Sequence, residues 1–569
     1  DSTVHINSTG AVTEGGSGKI IAGELNLQGS ANYTLTALTN DVNTIYAGEE
    51  GSPVSLLYYN NADGLAIGST TSSDIYTTSN ILIKTASGDI DVNTNISTTS
   101  NDHDAVKLMA DYDASAGSIG DGHIRINNNV LIGTGEFGIV KLYSGSPDLS
   151  LGLNDLIGIS NVQYGVDQNT NSFNPTLVAG DAFALYRTAG SGAGNMLSFN
   201  GTDNYITVPD HASLDITSNI TVEAWIKCDN LTNQIIVGKT ANSGATAGIA
   251  YLLRVRDSGL VFNVNDGTNI NVSSPSYALN TDKWYHVVGY RNGSTNKIGL
   301  YVNGEWIGEN NSITGNISTN NEALFIGKYI ATWGQYFSGE MDEIRIWNDI
   351  RTPQEIREFM MRSLPSPSTE SNLAAYYKID ENGGGTLADA SSNTNDGSLY
   401  NMSNTNWLKS DCFNKWLGFN ATWSDASNWS LNTVPDTTNN VGIYDDATLL
   451  PSLSGSSAEN IVIGQNCAIS LAGNMNLNGN LILESDLNLN GRSISLGNNS
   501  MLIEDLGSIT GMAGQISVAK NITAAITSEN IGGLGAEITT SSTLGQTEII
   551  RYQNASTGSI SSIGRKYGI

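Results

Sequence analysis

The sequence predicts an all-β protein in which a central run of antiparallel strands is flanked by stacked short strands of solenoid type. Three observations carry this reading. Charged residues make up 14% of the 569 residues, against roughly 25% in an average soluble protein, and Gly, Asn, Ser and Thr take their place. Strong helix formers are sparse, while short β-branched and aromatic runs bounded by Asn, Gly, Asp or Ser recur. On both flanks, segments of alternating apolar and polar residues return with Gly or Asn at the corners.

So long a chain exceeds one small core. The expected bounds are 1–190 for the first repeat region, 191–410 for the central domain, 411–535 for a second repeat region and 536–569 for the start of a further sandwich. In the first region Gly88-Asp-Ile-Asp-Val-Asn93 recurs in kind as Gly122-His-Ile-Arg-Ile-Asn127, 34 residues on. A β-solenoid needs that pattern, because each coil buries its inward side chains only by stacking on its neighbours; an array of β-sandwiches is the rival reading. Thr188 to Asn195 reads as a linker.

The central domain opens with Met196-Leu-Ser-Phe-Asn-Gly-Thr-Asp203 and closes with Gly339-Glu-Met-Asp-Glu-Ile-Arg-Ile-Trp347. Asn303-Gly304, between Leu300-Tyr-Val302 and Glu305-Trp-Ile307, signals a type I′ hairpin, whose two central residues need positive φ. Pro353 to Met361 carries Ile356, Phe359 and Met360 at helical spacing. Beyond it, Leu373-Ala-Ala-Tyr-Tyr377 and the turn Asn393-Thr-Asn-Asp-Gly397 read as further strands of the same domain.

Phe199-Asn-Gly-Thr-Asp203-Asn-Tyr-Ile206, Thr221-Val-Glu-Ala-Trp-Ile226 and Met341 to Asn348 follow one another as the motifs of LamG-like jelly rolls do. The centre therefore resembles that family, the concanavalin A-like lectin and glucanase sandwich. The resemblance implies a Ca²⁺ site held by Asp342, Asp203 and the carbonyl of Gly201, although Asn200 stands where the family has its first Asp. Oxygen-only ligation suits Ca²⁺. By strand parity Asp342 faces the core with Ile344 and Ile346; it is either a Ca²⁺ ligand or a carboxylate capping backbone N–H groups. The first flank resembles the β-helices of filamentous-haemagglutinin type in large bacterial surface adhesins, most closely at Ile139-Val-Lys-Leu-Tyr-Ser-Gly145.

Trp416, Trp423 and Trp429 cluster around Asn420-Ala-Thr-Trp-Ser-Asp-Ala-Ser-Asn-Trp429, which resembles the head of repeat segments in secreted proteins of gliding bacteria. Such a cluster suits the cap of a β-helix better than a sugar platform. Asn476-Leu-Asn-Gly479 returns as Asn488-Leu-Asn-Gly491, an offset of 12. Ser562 to Ile569 resembles the entry strand of another sandwich, and the expectation from this resemblance is a piece of a longer protein.

A net charge of −29 argues against nucleic acid as a partner, and no run is apolar enough for a membrane helix. Cys228, Cys412 and Cys467 form neither a metal pattern nor a disulfide framework. The histidines are scattered, and Glu340-Met-Asp-Glu343 lacks the facing carboxylate pair of a glycosidase. No catalysis is expected. Trp306, Trp333 and Tyr336 lie in or beside loops of the central domain, while solenoid flanks of Asn, Thr, Ser and Asp offer little to bind with. The expectation is an extracellular cell-surface adhesin segment whose LamG-like domain meets a glycan, a protein or a surface through these three aromatics. Its partners would include the outer-membrane secretion (type IX) and gliding-motility machinery. The rivals are a glycan-binding module of a secreted polysaccharide-degrading enzyme and a structural filament.

Overall fold

The structure, a computed structural model, describes residues 2–14, 18–68, 74–114, 122–127, 130–146, 150, 153, 162–164, 166–170, 178–187, 193–240, 248–267, 270–273, 277–310, 315–329, 335–364, 367–381, 383–418, 421–431, 433–445, 447, 449–553 and 560–567. Most of the expected linker 188–195, and Trp333, lie outside these residues. The chain divides into two compact units, Asp1–Gly190 and Ser191–Ile569.

The first unit is a β-solenoid of parallel coils. One sheet runs from Thr3–Asn7 through Ile21–Gln28, Asp41–Ala47, Leu65–Ile67 and Ile90–Val92 to Ile124–Ile126, and a second joins Ile75–Thr77, Ile96–Thr98 and Ile132–Gly133. The third includes Leu56–Asn61, Ile81–Thr85, Val106–Met109, Val140–Ser144 and Ala182–Tyr186. Ile90 pairs with Ile124, so the 34-residue offset read from the sequence is one coil. Leu25, Ile45, Ile67, Val92 and Ile126 stack in register along the core. Buried asparagines complete the corners: Asn40 Oδ1 accepts from the Ile20 N–H at 2.8 Å, and Asn61 Oδ1 from that of Val42 at 3.0 Å. Each supplies the backbone partner that a buried turn otherwise lacks.

One expectation fails here. The outer flank is not uniformly polar: Met109, Ile139, Tyr143, Val166, Phe183 and Leu185 form a second apolar cluster, and Val140–Ser144 is buried on both faces.

In the second unit, two antiparallel eight-stranded sheets enclose one core. Ile220–Cys228, Trp284–Asn292 and Ser338–Trp347 dominate one sheet; Gln234–Thr240, Leu324–Ile326, Tyr205–Val208 and Gly397–Tyr400 belong to the other. Leu373–Tyr377 and Trp407–Lys409 join the first sheet, and Thr386–Leu387 and Gly397–Tyr400 the second. Asn303 and Gly304 take φ of 48° and 73°, the conformation that the hairpin needs. The helix Pro353–Phe359 starts in a capping box between Thr352 and Glu355. It buries Ile356 against Val288, Tyr290 and Tyr301 on the outer face of the first sheet.

A second solenoid follows in the same unit. Asn414–Lys415, Val441–Ile443, Ile461–Ile463, Leu481–Leu483 and Leu502–Glu504 stack in parallel, and an asparagine ladder, Asn440, Asn460, Asn480, spans successive coils 20 residues apart. The 12-residue offset is therefore no coil: Met475–Leu477 and Leu487–Asn488 lie in different sheets. Trp416, Trp423 and Trp429 close this core, with centroids 4.9 Å and 4.6 Å apart in edge-to-face pairs. The segment expected to open a further sandwich instead adds Gly545–Gln553 and Ile560–Tyr567, antiparallel, to a solenoid sheet.

Candidate functional site

Strand alternation puts Ile206 and Val208 in the sandwich core and turns Tyr205 and Thr207 outward. The neighbouring strands do the same with Phe325 and with Tyr400. Tyr205 sits directly opposite Tyr400, and their rings stack at 4.8 Å and 1°. Phe325 and Tyr336 each lie 6.3 Å from Tyr205. Lys328 Nζ is 3.8 Å from the Tyr205 ring centroid, 5.6 Å from that of Tyr336 and 5.8 Å from that of Phe325. Burial pushes its ammonium below the usual lysine range. Tyr400 is 45% exposed, and the others are half-buried. Four rings and one cation thus form an aromatic face on the outside of the sandwich, which suits stacking against the apolar face of a ring such as a pyranose.

Of the three aromatics expected to make contact, Tyr336 belongs to this face. Trp306 does not: it stands on the strand Glu305–Asn310 at the edge of the other sheet, 50% exposed, and its Nε1 donates to Tyr290 Oη at 3.3 Å. Trp333 lies outside the described residues. Tyr205, Phe325 and Tyr400 were readable as the outward positions of their strands; what placed them side by side was strand order.

The structure does not bring the expected Ca²⁺ ligands together. In the strand Ser338–Trp347 the pairing with Ile220–Cys228 slips between Glu223 and Trp225, and Glu343 takes φ 50°. This β-bulge inserts one residue and reverses the parity of what precedes it. Ile344 and Ile346 face the core as expected, but Asp342 is turned to the outer face, level with Trp225. There Asp342 Oδ2 accepts from Ser410 Oγ at 2.6 Å and from the Cys412 thiol at 3.2 Å, while Oδ1 accepts the Glu343 N–H at 2.8 Å. Burial, then the charge of Glu343, push its carboxyl well above the usual range. Asp203 instead lies on an exposed turn, its Oδ1 2.8 Å from Asn200 Nδ2, and Gly201 stands in that turn with φ 71°. The ligand set drawn from the resemblance does not fit this arrangement.

The bulge builds a buried polar network. Glu343 accepts from Ser363 Oγ at 2.6 Å and from Tyr376 Oη, and pairs with Arg345 at 2.5 Å. Arg345 also donates to the carbonyls of Phe359 (2.8 Å) and Arg362 (3.0 Å). Glu223 accepts from Trp347 Nε1 at 2.8 Å and lies 3.2 Å from His286 Nε2. Burial raises its carboxyl, but the His286 hydrogen bond and the Arg345 charge outweigh that and hold it down to about 2. Asp342 and Glu343 are 0% and 1% exposed with every carboxylate oxygen partnered, the condition of groups that fasten elements together.

Residues 200–357 match the family profile described as the concanavalin A-like lectin/glucanases superfamily, Laminin_G_3. No curated protein sequence matches the chain. Among solved structures, the chain is similar to a candidate carbohydrate binding protein from Bacteroides ovatus ATCC 8483 (24% identity, 43% of this chain and 66% of that one, TM-score 0.32). It is also similar to the heptameric SAP-like pentraxin of Limulus polyphemus (18% identity, 29% and 80%, TM-score 0.24). A third is the CBM40 of the Ruminococcus gnavus IT-sialidase bound to alpha2,3 sialyllactose (14% identity, 29% and 96%, TM-score 0.23). Between residues 200 and 357, then, this chain carries a LamG-like domain of the concanavalin A-like lectin/glucanase superfamily.

Proposed function

We propose that the chain is a segment of a secreted bacterial cell-surface adhesin, in which solenoid coils give reach and the LamG-like sandwich meets a glycan. The observation that carries this is the aromatic face of Tyr205, Phe325, Tyr336 and Tyr400 around Lys328. A face of this kind binds without chemistry, and no catalytic role is assigned to the chain. Service in gliding motility, with the outer-membrane secretion and motility machinery as partners, belongs to the same reading. It is motivated by the resemblance of the Trp416–Trp429 segment to repeats of gliding bacteria.

The test is binding of the whole chain to an array of neutral glycans. Tyr205→Ala with Tyr400→Ala removes the stacked pair and is expected to weaken binding about tenfold or more, the loss that follows truncation of an aromatic anchor, with the variant still folded at the temperature of the assay. Equal binding by the double variant would sink the proposal. A hydrolase domain in the complete coding sequence would instead make this sandwich the glycan-binding module of an enzyme.

A further inference from the structure

The flank of the first solenoid holds an arrangement that the sandwich reading leaves unused. Lys107 and Lys141 pair directly across adjacent coils, and Lys84 lies on the preceding coil, opposite Met109. In parallel strands about 4.8 Å apart, this gathers three ammonium groups in a chain that has 26 Lys and Arg against 55 Asp and Glu. Like charges set opposite one another destabilise a sheet. Lys141 pairs with Asp104 at 2.7 Å, but among the described residues Lys84 and Lys107 form no ion pair with a carboxylate. Each instead lies over a ring, Lys84 Nζ 5.0 Å from the Tyr112 centroid and Lys107 Nζ 5.2 Å from that of Tyr143. Both are half-buried, and the row continues through half-buried Leu82 to Tyr58.

We propose that this flank binds an acidic polysaccharide, whose carboxylate or sulfate groups meet Lys84 and Lys107 while its sugar rings lie along Tyr58 and Tyr112. The anion supplies the ion-pair partner that Lys84 and Lys107 lack among the described residues, Asp104 being paired with Lys141. Burial pushes the ammonium groups of Lys84 and Lys107 below the usual lysine range, and the charges of Lys141 and Lys84 add to this at Lys107 against the opposing pull of Asp104. Nucleic acid suits the flank poorly, because phosphate binding rests on many clustered cations and this row is short on a chain of net charge −29. The inference is independent of the aromatic face on the sandwich.

The test measures retention of the whole chain on polygalacturonate and on dextran sulfate, with dextran as the neutral control and single-stranded DNA as competitor. One or both polyanions should bind, with retention falling steeply as salt rises. Which of them binds tells carboxylate from sulfate. Lys84→Gln with Lys107→Gln should weaken that binding at least tenfold, and Lys84→Arg with Lys107→Arg should retain it. The bound polyanion should raise the melting temperature of the parent and not that of the glutamine variant. Equal retention by the glutamine variant, no retention of either polyanion by the parent, or displacement by DNA as effective as by polygalacturonate would each overturn the proposal.

Discussion

At the scale of single residues, the sandwich is held by charges that no solvent reaches. Arg345 is 1% exposed and lies between Glu343 and Glu223, and its Nη1 and Nη2 also donate to two backbone carbonyls. Removing one partner of such a set leaves an uncompensated buried charge, which costs about 3–5 kcal/mol. Arg345→Met should therefore lower the stability of the second unit by that amount in denaturant titration. A loss below about 1 kcal/mol, typical of exposed pairs, would show that the network is hydrated. Legibility was uneven at this scale. Asp342 was singled out from the sequence because it lies in a terminal strand among core residues, yet its side was misread. Alternation counts residues, and the extra residue at Glu343 is invisible to counting until its partner strand is known.

At the scale of elements, the hairpin Asn303–Gly304 does more than reverse the chain. Gly304 accepts from Arg357 Nε at 3.0 Å through its carbonyl, and a Cβ added there would lie 2.9 Å from Ile482 Cδ1 and 3.1 Å from Arg357 Cγ. With φ of 73° the position favours glycine whatever the space. Gly304→Ala should thus destabilise the unit by about 1 kcal/mol or more in thermal melting. A melting curve equal to that of the parent would place the hairpin clear of the second solenoid. The turn was plain from Asn-Gly between apolar runs; its contact with Ile482, far along the chain, was not.

At the scale of the whole molecule, the sandwich and the second solenoid share one unit because the outer face of a sheet is covered. Trp225, Trp284, Met360, Phe413, Tyr444, Val462 and Ile482 pack together across their boundary. Gln354 Nε2 donates to Asp505 at 2.8 Å, Lys283 pairs with Glu459 at 2.5 Å, and Arg357 reaches both Asp505 and Glu484. Burial, then the charge of Asp505, push the Glu484 carboxyl up to about 7 against the opposing pull of Arg357. A folded value raised above the ordinary 4.5 means that its contribution to stability is full below that pH and is lost as pH rises through about 7. The melting temperature of this unit should fall across that window, and Glu484→Gln should flatten the fall. An unchanged slope in the variant would assign the pH dependence to other groups.

By itself the sequence determined where strands and turns lie. Alternation, the Asn303-Gly304 turn and the helical spacing of Ile356, Phe359 and Met360 act over a few residues, and each appears in the structure. The 34-residue coil was legible for the same reason, because stacked coils must present matching side chains. Only the tertiary structure decided which residues meet. Strand order set Tyr205 beside Tyr400, coil register set Lys107 beside Lys141, and the bulge turned Asp342 from the core to Ser410 and Cys412. Pairing between strands depends on the packing of the whole sheet, and the local pattern of one strand does not contain it.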